Sequence, residues 1–340
     1  MGVVIRDPDN SRTRAKCSLS TSLAKASSFG DYAVFLQKVR RDPDRAEVMY
    51  ERAISVDPVN ADVLGNYALF LQYVRRDPDR AESMYERAIS ADPVNARNLG
   101  YYAWFLHCVR RDPDRAEGMF KRAVAADPNR VYNITNYARF IHHVRRDYDR
   151  AESMYERAIA ADPTDARNLG NYALFLQYVR RDPDRTEMMY EWSIEADPDY
   201  VLNFGNYAVF LEEVRCDSDR AEEMFERGID TDPNHTDIFI LYAIFLETVR
   251  RDYDRAEEMF ERAIVADPNH ADVLGDYAFF LVIIRHDSDR AESMFERAIT
   301  ADPDNAGNLG YYAVFLETVR RDYDRAEGMF ERAIVADPNH

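Results

Sequence analysis

One string, NYALFLQYVRRDPDRAESMYERAISADPVN at residues 66–95, returns every 35 residues, nine times, from Gly30 onward. A tyrosine marks the first half of each copy: Tyr32, Tyr67, Tyr102, Tyr137, Tyr172, Tyr207, Tyr242, Tyr277 and Tyr312. A methionine marks the second half: Met49, Met84, Met119, Met154, Met189, Met224, Met259, Met294 and Met329. A fixed period between roughly 20 and 50 residues is the signature of a repeat array whose units stack on their neighbours. This period constrains the fold more than any other property of the chain.

Each copy is predicted to form two helices. The apolar residues of the first helix recur at helical spacing, and in the second copy they are Leu64, Tyr67, Ala68, Leu71 and Val74. Those of the second helix are Ala81, Met84, Tyr85, Ala88 and Ile89. Neither helix can bury its apolar stripe alone, so stacking of successive copies must create the core.

Short polar segments set the ends of the second helix. Asp77 is a suitable N-cap, and Pro78 fits the first helical position, where no backbone donor is needed. An Asp-Pro pair, Asp92-Pro93 in the second copy, ends this helix in all nine copies because proline cannot continue the hydrogen-bond ladder.

The second helix resembles that of the tetratricopeptide repeat. Ala81, Tyr85, Ala88 and Pro93 have the Ala-x3-aromatic-x2-Ala-x4-Pro spacing of that family, and the stretch Asp147–Glu152 is similar to its turn. Small residues replace the alanines at Thr186, Ser193 and Gly228, and the period is 35 rather than 34, with one extra residue in the Val-Arg-Arg-Asp segment. The resemblance implies an all-α fold, a right-handed α-solenoid of nine helix-turn-helix repeats. A similarity to half-a-tetratricopeptide repeats is the second choice, since that family's tryptophan is leucine here, as at Leu64.

Two parts of the chain differ in composition. Residues 1–27 form a Ser/Thr-rich segment with net positive charge, expected to be partly disordered or a degenerate cap. Residues 28–340 hold the nine repeats.

Composition excludes several function classes. The chain carries 62 acidic and 44 basic residues, a net charge of −18, which disfavours direct binding of nucleic acid. Cys17, Cys108 and Cys216 are too few and too scattered for a disulfide framework, so a reducing compartment is expected. No apolar run is long enough to span a membrane, and no signal peptide is visible. The expected location is the cytoplasm, or outside the cell if the protein forms filaments.

Charged residues recur around the turn between the helices. Asp44, Arg45 and Glu47 have equivalents in every copy. We interpret them as caps and as arginine–carboxylate pairs between adjacent repeats, because a catalytic carboxylate pair is not needed in nine copies. No nucleophile–base set and no phosphate-binding glycine loop is present, so we predict no enzyme activity and no cofactor.

The first helix carries the variation. In the resembled family the first helices line a concave groove that holds a partner peptide, which implies a protein or peptide segment as partner. The candidate partner-binding residues are Leu69, Tyr73, Arg97, Tyr101, Trp104, His107, Arg139, His142, His143, Leu174, Tyr178, Glu212 and Glu213. Early members are aromatic or basic and late ones acidic, which suits an extended partner of mixed charge. The family's carboxylate clamp is not supported, because lysine is missing from this face beyond Lys38.

Three functions are compatible with this pattern. The first is a non-catalytic interaction scaffold that binds a partner segment in the groove. The second is a structural subunit that associates head to tail into filaments, because no polar capping helix follows Ile334. The third is a scaffold of an RNA-processing complex, as in half-a-tetratricopeptide proteins.

Two further patterns are weak. His107, Cys108, His142 and His143 occupy matching places on adjacent repeats, but no carboxylate or second cysteine completes a metal set, so we predict no metal site. Asn133 and Asn234 match the N-glycosylation acceptor pattern, which matters only for an exported protein.

Overall fold

The computed structural model describes residues 26–337, and these residues are helical apart from short turns, with no strand among them. The chain divides into two compact units, Met1–Pro163 and Thr164–His340, called unit one and unit two below. The predicted N-terminal segment lies outside the described residues up to residue 25. Its last two residues belong to the first helix, which the structure describes from residue 26.

The described part of unit one contains four helix pairs. Their bounds are α1 at residues 26–35, α2 at Pro43–Val56, α3 at Ala61–Phe70, α4 at Pro78–Ala91, α5 at Ala96–Cys108, α6 at Pro113–Ala126, α7 at Val131–Phe140 and α8 at Tyr148–Ala161. Three first helices continue into a π turn, at Leu36–Arg40, Leu71–Arg75 and Ile141–Arg145.

Unit two contains five helix pairs. Their bounds are α9 at Ala166–Phe175, α10 at Pro183–Ala196, α11 at Leu202–Glu213, α12 at Ser218–Thr231, α13 at Thr236–Phe245, α14 at Tyr253–Ala266, α15 at Ala271–Phe280, α16 at Ser288–Ala301, α17 at Ala306–Phe315 and α18 at Tyr323–Ala336. Its π turns are Leu176–Arg180, Leu246–Arg250, Leu281–Arg285 and Leu316–Arg320.

The predicted caps of the second helices are present. In α4 the Asp77 side chain accepts a hydrogen bond from the backbone N–H of Arg80 at 3.1 Å, and Pro78 occupies the first position. This bond satisfies one of the backbone donors left free at a helix start. At the other end Asp92 is extended, with φ −138°, so the helix stops before Pro93.

Each repeat has 35 residues, one more than the 34 of the tetratricopeptide repeat, and the end of the first helix accommodates the extra residue. After α3, the chain widens into the π turn Leu71–Arg75, and Arg76 then adopts the left-handed conformation with φ 53°. The N–H of Asp77 closes the turn by donating to the carbonyl of Leu71 at 3.0 Å. The widened turn rotates Val74 outward, so Val74 is exposed rather than buried as its helical spacing predicted.

Within each unit the core lies between the two helices of each repeat and between successive repeats. Ala81, Tyr85 and Ala88, which carry the family resemblance, are fully buried. Substituted positions are filled from nearby: a Cβ on Gly228 would collide with the Ile238 side chain. The predicted helical-repeat fold class is therefore confirmed in both units.

Glycine–asparagine pairs lock adjacent first helices together. Asn133 is buried and donates from Nδ2 to the carbonyl of Ala96 at 2.8 Å, while its Oδ1 lies where a Cβ on Gly100 would be. The same arrangement joins three more pairs, Gly65 with Asn98, Gly170 with Asn203 and Gly275 with Asn308. Only glycine permits this approach.

Candidate partner-binding surfaces

The repeated charges form a ladder between adjacent repeats, as predicted. In unit one, Arg145 donates from Nε to Glu117 at 2.8 Å and from Nη2 to Asp114 at 2.6 Å, and Arg150 donates to Glu117 at 3.2 Å. Each partner belongs to the preceding repeat. Burial raises the pKa of Glu117, but hydrogen bonds from Lys121, Arg150 and Arg145 outweigh it and lower the pKa to about 2. These arginines and carboxylates neutralise one another, so we assign them a structural role at the junction between repeats.

The other side of the first helices in unit one has a different character. Helices α3, α5 and α7 lie side by side. We call their variable face the unit-one surface: Tyr73, Arg97, Tyr101, Trp104, His107, Arg139, His142 and His143. The guanidinium of Arg139 lies over the Trp104 ring, 5.0 Å from its centroid, and Trp104 meets His107 edge to face at 5.6 Å. The structure therefore brings together candidates from two adjacent repeats.

Arg139 has no ion pair among the described residues, unlike the arginines of the ladder. It takes the place held by an apolar residue in the other repeats, such as Leu69, which is half-buried. A guanidinium stacked on an aromatic face keeps its hydrogen-bond donors available at its edge. This arrangement can accept a carboxylate.

The remaining aromatic residues extend this surface. Arg97 donates from Nη2 to Asn66 Oδ1 at 2.6 Å and lies over the Tyr101 ring at 5.6 Å. Tyr101 packs edge to face on Tyr132 at 5.4 Å. Tyr73 is largely exposed, yet partial burial, followed by Cys108 and Tyr101 and partly offset by a hydrogen bond with Gln72, raises its pKa. Arg97 is thus held by Asn66 of the preceding repeat and Tyr101 of its own repeat, whereas the Tyr73 ring is accessible to a partner.

The three histidines are held neutral. Burial and the neighbouring His143 and Arg139 lower the pKa of His107, and the same causes lower that of His142 to about 4. Burial and Arg139 lower the pKa of His143. The rings of His142 and His143 stack with centroids 4.0 Å apart. At neutral pH the positive charge of the surface therefore comes from arginine.

Most repeats carry an apolar residue at the position of Leu69, among them Leu174, Phe279 and Val314 in unit two. In unit two this row of residues contacts the next repeat and also remains partly exposed to solvent. Phe279 touches Tyr311 of the next repeat, with ring centroids 5.7 Å apart, yet both rings remain about half exposed. Leu174 is half-buried, and Val314 is exposed. These residues therefore form an apolar strip that remains accessible to solvent.

We call the variable face of the first helices in unit two the unit-two surface: Leu174, Tyr178, Glu212, Glu213, Glu247 and Asp276. Tyr178 donates from its hydroxyl to Glu213 Oε2 at 3.5 Å. Glu212 accepts from Ser218 Oγ at 2.6 Å, so one of its oxygens is already engaged within the repeat. Of the two predicted glutamates, Glu213 is the more exposed.

Sequence reasoning missed Asp276. Burial, followed by repulsion from Asp272 and partly offset by His270, raises the pKa of Asp276 to about 6. Burial and Asp276 together raise the pKa of Glu247. The signal was visible in the repeat alignment, because Asp276 replaces an asparagine that occupies the same place at Asn66 and Asn171. Asp276 thus disfavours the ionised form of Glu247, and a positive charge near these carboxylates would relieve that repulsion.

Other predicted sites are placed as follows. Asn133 is buried in its glycine–asparagine pair and is inaccessible to glycosylation in the folded protein, whereas Asn234 is exposed in a turn. Cys108 and Cys216 are free thiols. The described residues contain no group of three or more His, Cys, Asp or Glu side chains placed to hold a metal ion. Nor does any helix between residues 26 and 337 have the length and apolar character to cross a bilayer.

Comparison with known proteins agrees with this architecture. A family model described as tetratricopeptide repeat matches residues 71–131, 217–271 and 285–340, about half of the chain, and a second model of that description matches 138–167. A Sel1 repeat model matches 29–56. No curated protein matches the sequence.

Solved structures share the fold at low sequence identity. Yeast Tom70 is 14% identical with a TM-score of 0.64, over 96% of this chain and 90% of that one. A tetratricopeptide repeat protein from Parabacteroides merdae is 15% identical with a TM-score of 0.56, over 74% and 96%. The human IFIT1 dimer, solved with PPP-AAAA, is 17% identical with a TM-score of 0.55, over 91% and 72%. From the model matches and the repeat geometry, the chain belongs to the tetratricopeptide repeat family.

Proposed function

We propose that the protein is a non-catalytic scaffold that binds an extended polypeptide on the first helices of its repeats. Membership of the tetratricopeptide family supports an interaction scaffold in general. The observation that carries the finer proposal is Arg139, which is stacked on Trp104 and has no carboxylate partner among the described residues. The arginines of the ladder show that the charged side chains with a structural role in this chain are paired with side chains of opposite charge.

The chemistry of the two surfaces supports a partner with both acidic and basic side chains. The unit-one surface suits a segment in which a carboxylate lies close to an aromatic or aliphatic side chain. The carboxylate would pair with Arg139, and the aromatic or aliphatic side chain would pack on Trp104. Aromatic residues and arginine dominate the energetics of protein interfaces. The unit-two surface suits a lysine or arginine, because a cation near Asp276 and Glu247 relieves the repulsion between these carboxylates.

A peptide selection tests the proposal. A phage-displayed library of random 15-residue peptides, a length chosen so that an extended chain spans about 50 Å, is panned on the immobilised protein. We expect enrichment of peptides with an acidic residue next to an aromatic one. Fluorescence anisotropy then gives the Kd of the best peptide. Trp104→Ala is expected to weaken binding by about 30-fold, the effect of losing an aromatic hot spot.

Two matched variants make the result specific. Arg139→Gln should remove the preference for acidic peptides while the rest of the surface stays in place. Trp192→Phe changes the other tryptophan, which is exposed on the second helix α10, and should leave Kd unchanged. Selected peptides that bind Trp104→Ala and Arg139→Gln as tightly as the wild type would contradict the proposal.

The alternative functions make separate predictions. Although human IFIT1 was solved with PPP-AAAA, the net charge of −18 leads us to expect no binding of a triphosphorylated oligonucleotide by this chain. A role in an RNA-processing complex, suggested by the half-a-tetratricopeptide similarity, stays a prediction, as does a cytoplasmic location.

A further inference from the structure

Trp192 of α10 departs from the repeat pattern at an exposed position. The other eight repeats have arginine there: Arg52, Arg87, Arg122, Arg157, Arg227, Arg262, Arg297 and Arg332. In α16 this arginine has structural contacts, because Arg297 donates to the carbonyl of Pro268 at 3.1 Å and to the sulfur of Met294 at 3.4 Å. Trp192 has no hydrogen bond and no ring contact among the described residues, and it is 46% exposed. Its side chain is therefore accessible to a partner.

The exposed side of α10 combines apolar and acidic side chains. Met188, Glu191, Trp192 and Glu195 are spaced i, i+3, i+4 and i+7, so they lie on one side of the helix, and all four are exposed. We call these four residues the α10 face. The equivalents of Met188 in the following repeats are polar residues or glycine: Glu223, Glu258, Ser293 and Gly328. Two large apolar side chains thus lie one turn apart where the following repeats have arginine and a polar residue or glycine.

An open groove between α10 and α12 adjoins the α10 face. It has a volume of about 560 Å³. Glu191 and Glu195 line it from α10, Glu223 and Arg227 line it from α12, and Met224 is among its apolar residues. The α10 face therefore continues into a concave surface that can hold part of an extended chain.

Both arginines that border this groove have partners within unit two. Arg220 pairs with Glu187 at 2.8 Å and with Glu191 at 3.8 Å. The guanidinium of Arg227 lies over the Phe204 ring, 5.1 Å from its centroid. These side chains are occupied by structural contacts, as in the ladder.

Two carboxylates of the groove are left without an ion pair. Glu195 and Glu223 are exposed, and neither pairs with a basic side chain among the described residues. The α10 face itself carries two carboxylates and no basic residue, because Trp192 has replaced the arginine of the other repeats. The unpaired charge at this place is therefore negative and lies beside an aromatic ring.

We propose that the α10 face and the adjoining groove bind a lysine or arginine side chain of a partner polypeptide. The aliphatic stem of that side chain packs on Met188 and Trp192, and its charged head lies over the indole with Glu195 as ion-pair partner. The face of tryptophan attracts a cation through the quadrupole of the ring, and a long basic side chain can cover apolar surface while its head stays in water. An arginine at position 192 would repel the same group.

Charge favours this partner over a second copy of the chain. Two α10 faces packed on each other would bring together Glu191 and Glu195 of both copies, and the chain as a whole carries a net charge of −18. The site uses second helices, whereas the peptide-binding proposal uses first helices. The inference therefore does not depend on that proposal.

A peptide selection on a variant with a disabled unit-one surface tests the inference. The random peptide library is panned on the full chain carrying Trp104→Ala and Arg139→Gln, in which Trp192 is the remaining tryptophan. We expect enrichment of peptides with a lysine or arginine next to an aliphatic or aromatic residue. Titration of the best peptide should shift the fluorescence of Trp192 to shorter wavelength, because the bound peptide covers the indole.

Matched variants of this parent locate the site. Trp192→Arg restores the residue of the other repeats and should weaken binding of the best peptide by about 30-fold, as expected for loss of an aromatic hot spot. Glu195→Gln should weaken it by about 3-fold, the effect of one exposed ion pair. Asp230→Asn removes the same charge at the equivalent position of α12, which does not line the groove, and should leave Kd unchanged. Circular dichroism confirms that each variant is folded.

Several outcomes would overturn the inference. The first is a selection that enriches no peptide, or only acidic or purely apolar ones. The second is a selected peptide that binds Trp192→Arg as tightly as the parent. The third is Trp192 fluorescence that shifts with protein concentration but not with peptide, because the α10 face would then join copies of the chain.

Discussion

Two arginines on one first helix and its π turn have opposite surroundings. Arg145 lies at the repeat junction, where Glu117 and Asp114 hold it and Phe140 lies under its guanidinium at 5.6 Å. Arg139, six positions earlier, lies on the unit-one surface over Trp104 and has no ion pair among the described residues. Both guanidinia stack on an aromatic ring, so stacking does not distinguish them. The difference is the carboxylate, which the chain supplies at the junction and omits on the surface.

The contrast shows how one repeat separates stability from recognition. Junction positions recur in nearly every copy because each must fit the same neighbour. Surface positions change from copy to copy because they do not have to fit the same neighbour in every repeat. Charge that is already paired within the chain has little to offer a ligand.

The strongest test of this contrast removes the junction carboxylate. Glu117→Ala should lower the free energy of unfolding by about 2–3 kcal/mol, because it leaves Arg145, Arg150 and Tyr137 without their shared acceptor. Arg139→Ala should change it by less than about 0.5 kcal/mol, as at an ordinary surface site. Urea unfolding at pH 7 measures both. Equal losses in the two variants would mean that the junction is not special.

Protonation should produce the same loss. The pKa of Glu117 is about 2 in the folded protein, below its ordinary value of 4.5, so its contribution is fully present above pH 4.5 and lost as the pH falls toward 2. The stability difference between the wild type and Glu117→Ala should therefore shrink over this interval. A difference that persists unchanged at pH 2 would show that packing, rather than charge, is responsible.

A second comparison uses two glycines. Gly100→Ala should destabilise unit one by about 2 kcal/mol, because its Cβ collides with the buried Asn133 and overpacking is costly. Gly118→Ala is the matched control at an exposed position of α6, where nothing lies within 4 Å of the added Cβ, and it should stabilise by up to about 1 kcal/mol. Thermal unfolding of the two variants should move Tm in opposite directions.

The unit-one surface can be probed through its histidines. Arg139→Gln should raise the pKa of His107, His142 and His143, because the guanidinium repels the imidazolium form of each. The values should remain below 6.5 because burial is the larger cause. NMR titration of the imidazole protons measures the change, and Arg145→Gln is the control. Unchanged values in Arg139→Gln would show that its charge does not dominate this surface.

The smallest expected effect concerns adjacent arginines at the end of a first helix. Arg76→Gly should stabilise by about 0.5 kcal/mol, because Arg76 is exposed and adopts a left-handed conformation that suits glycine. Arg75→Gly should destabilise, since Arg75 pairs with Glu47 and Asp44. Chemical denaturation of the two variants checks the sign of each effect.

Most of the scaffold could be predicted because its signals are local and repeated. Asp77, Pro78 and Pro93 mark helix ends through backbone chemistry that needs no knowledge of neighbours. The π turn could not be predicted, because the segment around Val74 continues a helical apolar spacing and the widening depends on where Asp77 must cap the next helix. The interaction of Asp276 with Glu247 was missed for a different reason: the replacement of asparagine by Asp276 is visible only when the copies are compared, and the interaction exists only between copies.

The glycine–asparagine pairs have a consequence for how such an array can change. Gly100 accommodates Asn133 of the following copy, while Gly30 meets Val63 and Gly205 meets Leu241. A copy moved elsewhere in the chain would bring its glycine, or the side chain that packs on a glycine, next to a neighbour whose residue at the paired position does not match. Duplication or exchange that cuts between α5 and α7 separates such a pair, whereas a cut that keeps both helices together preserves it. The unit of this chain that must be kept together is therefore the junction between two repeats, and shuffled arrays should be designed so that each junction stays intact.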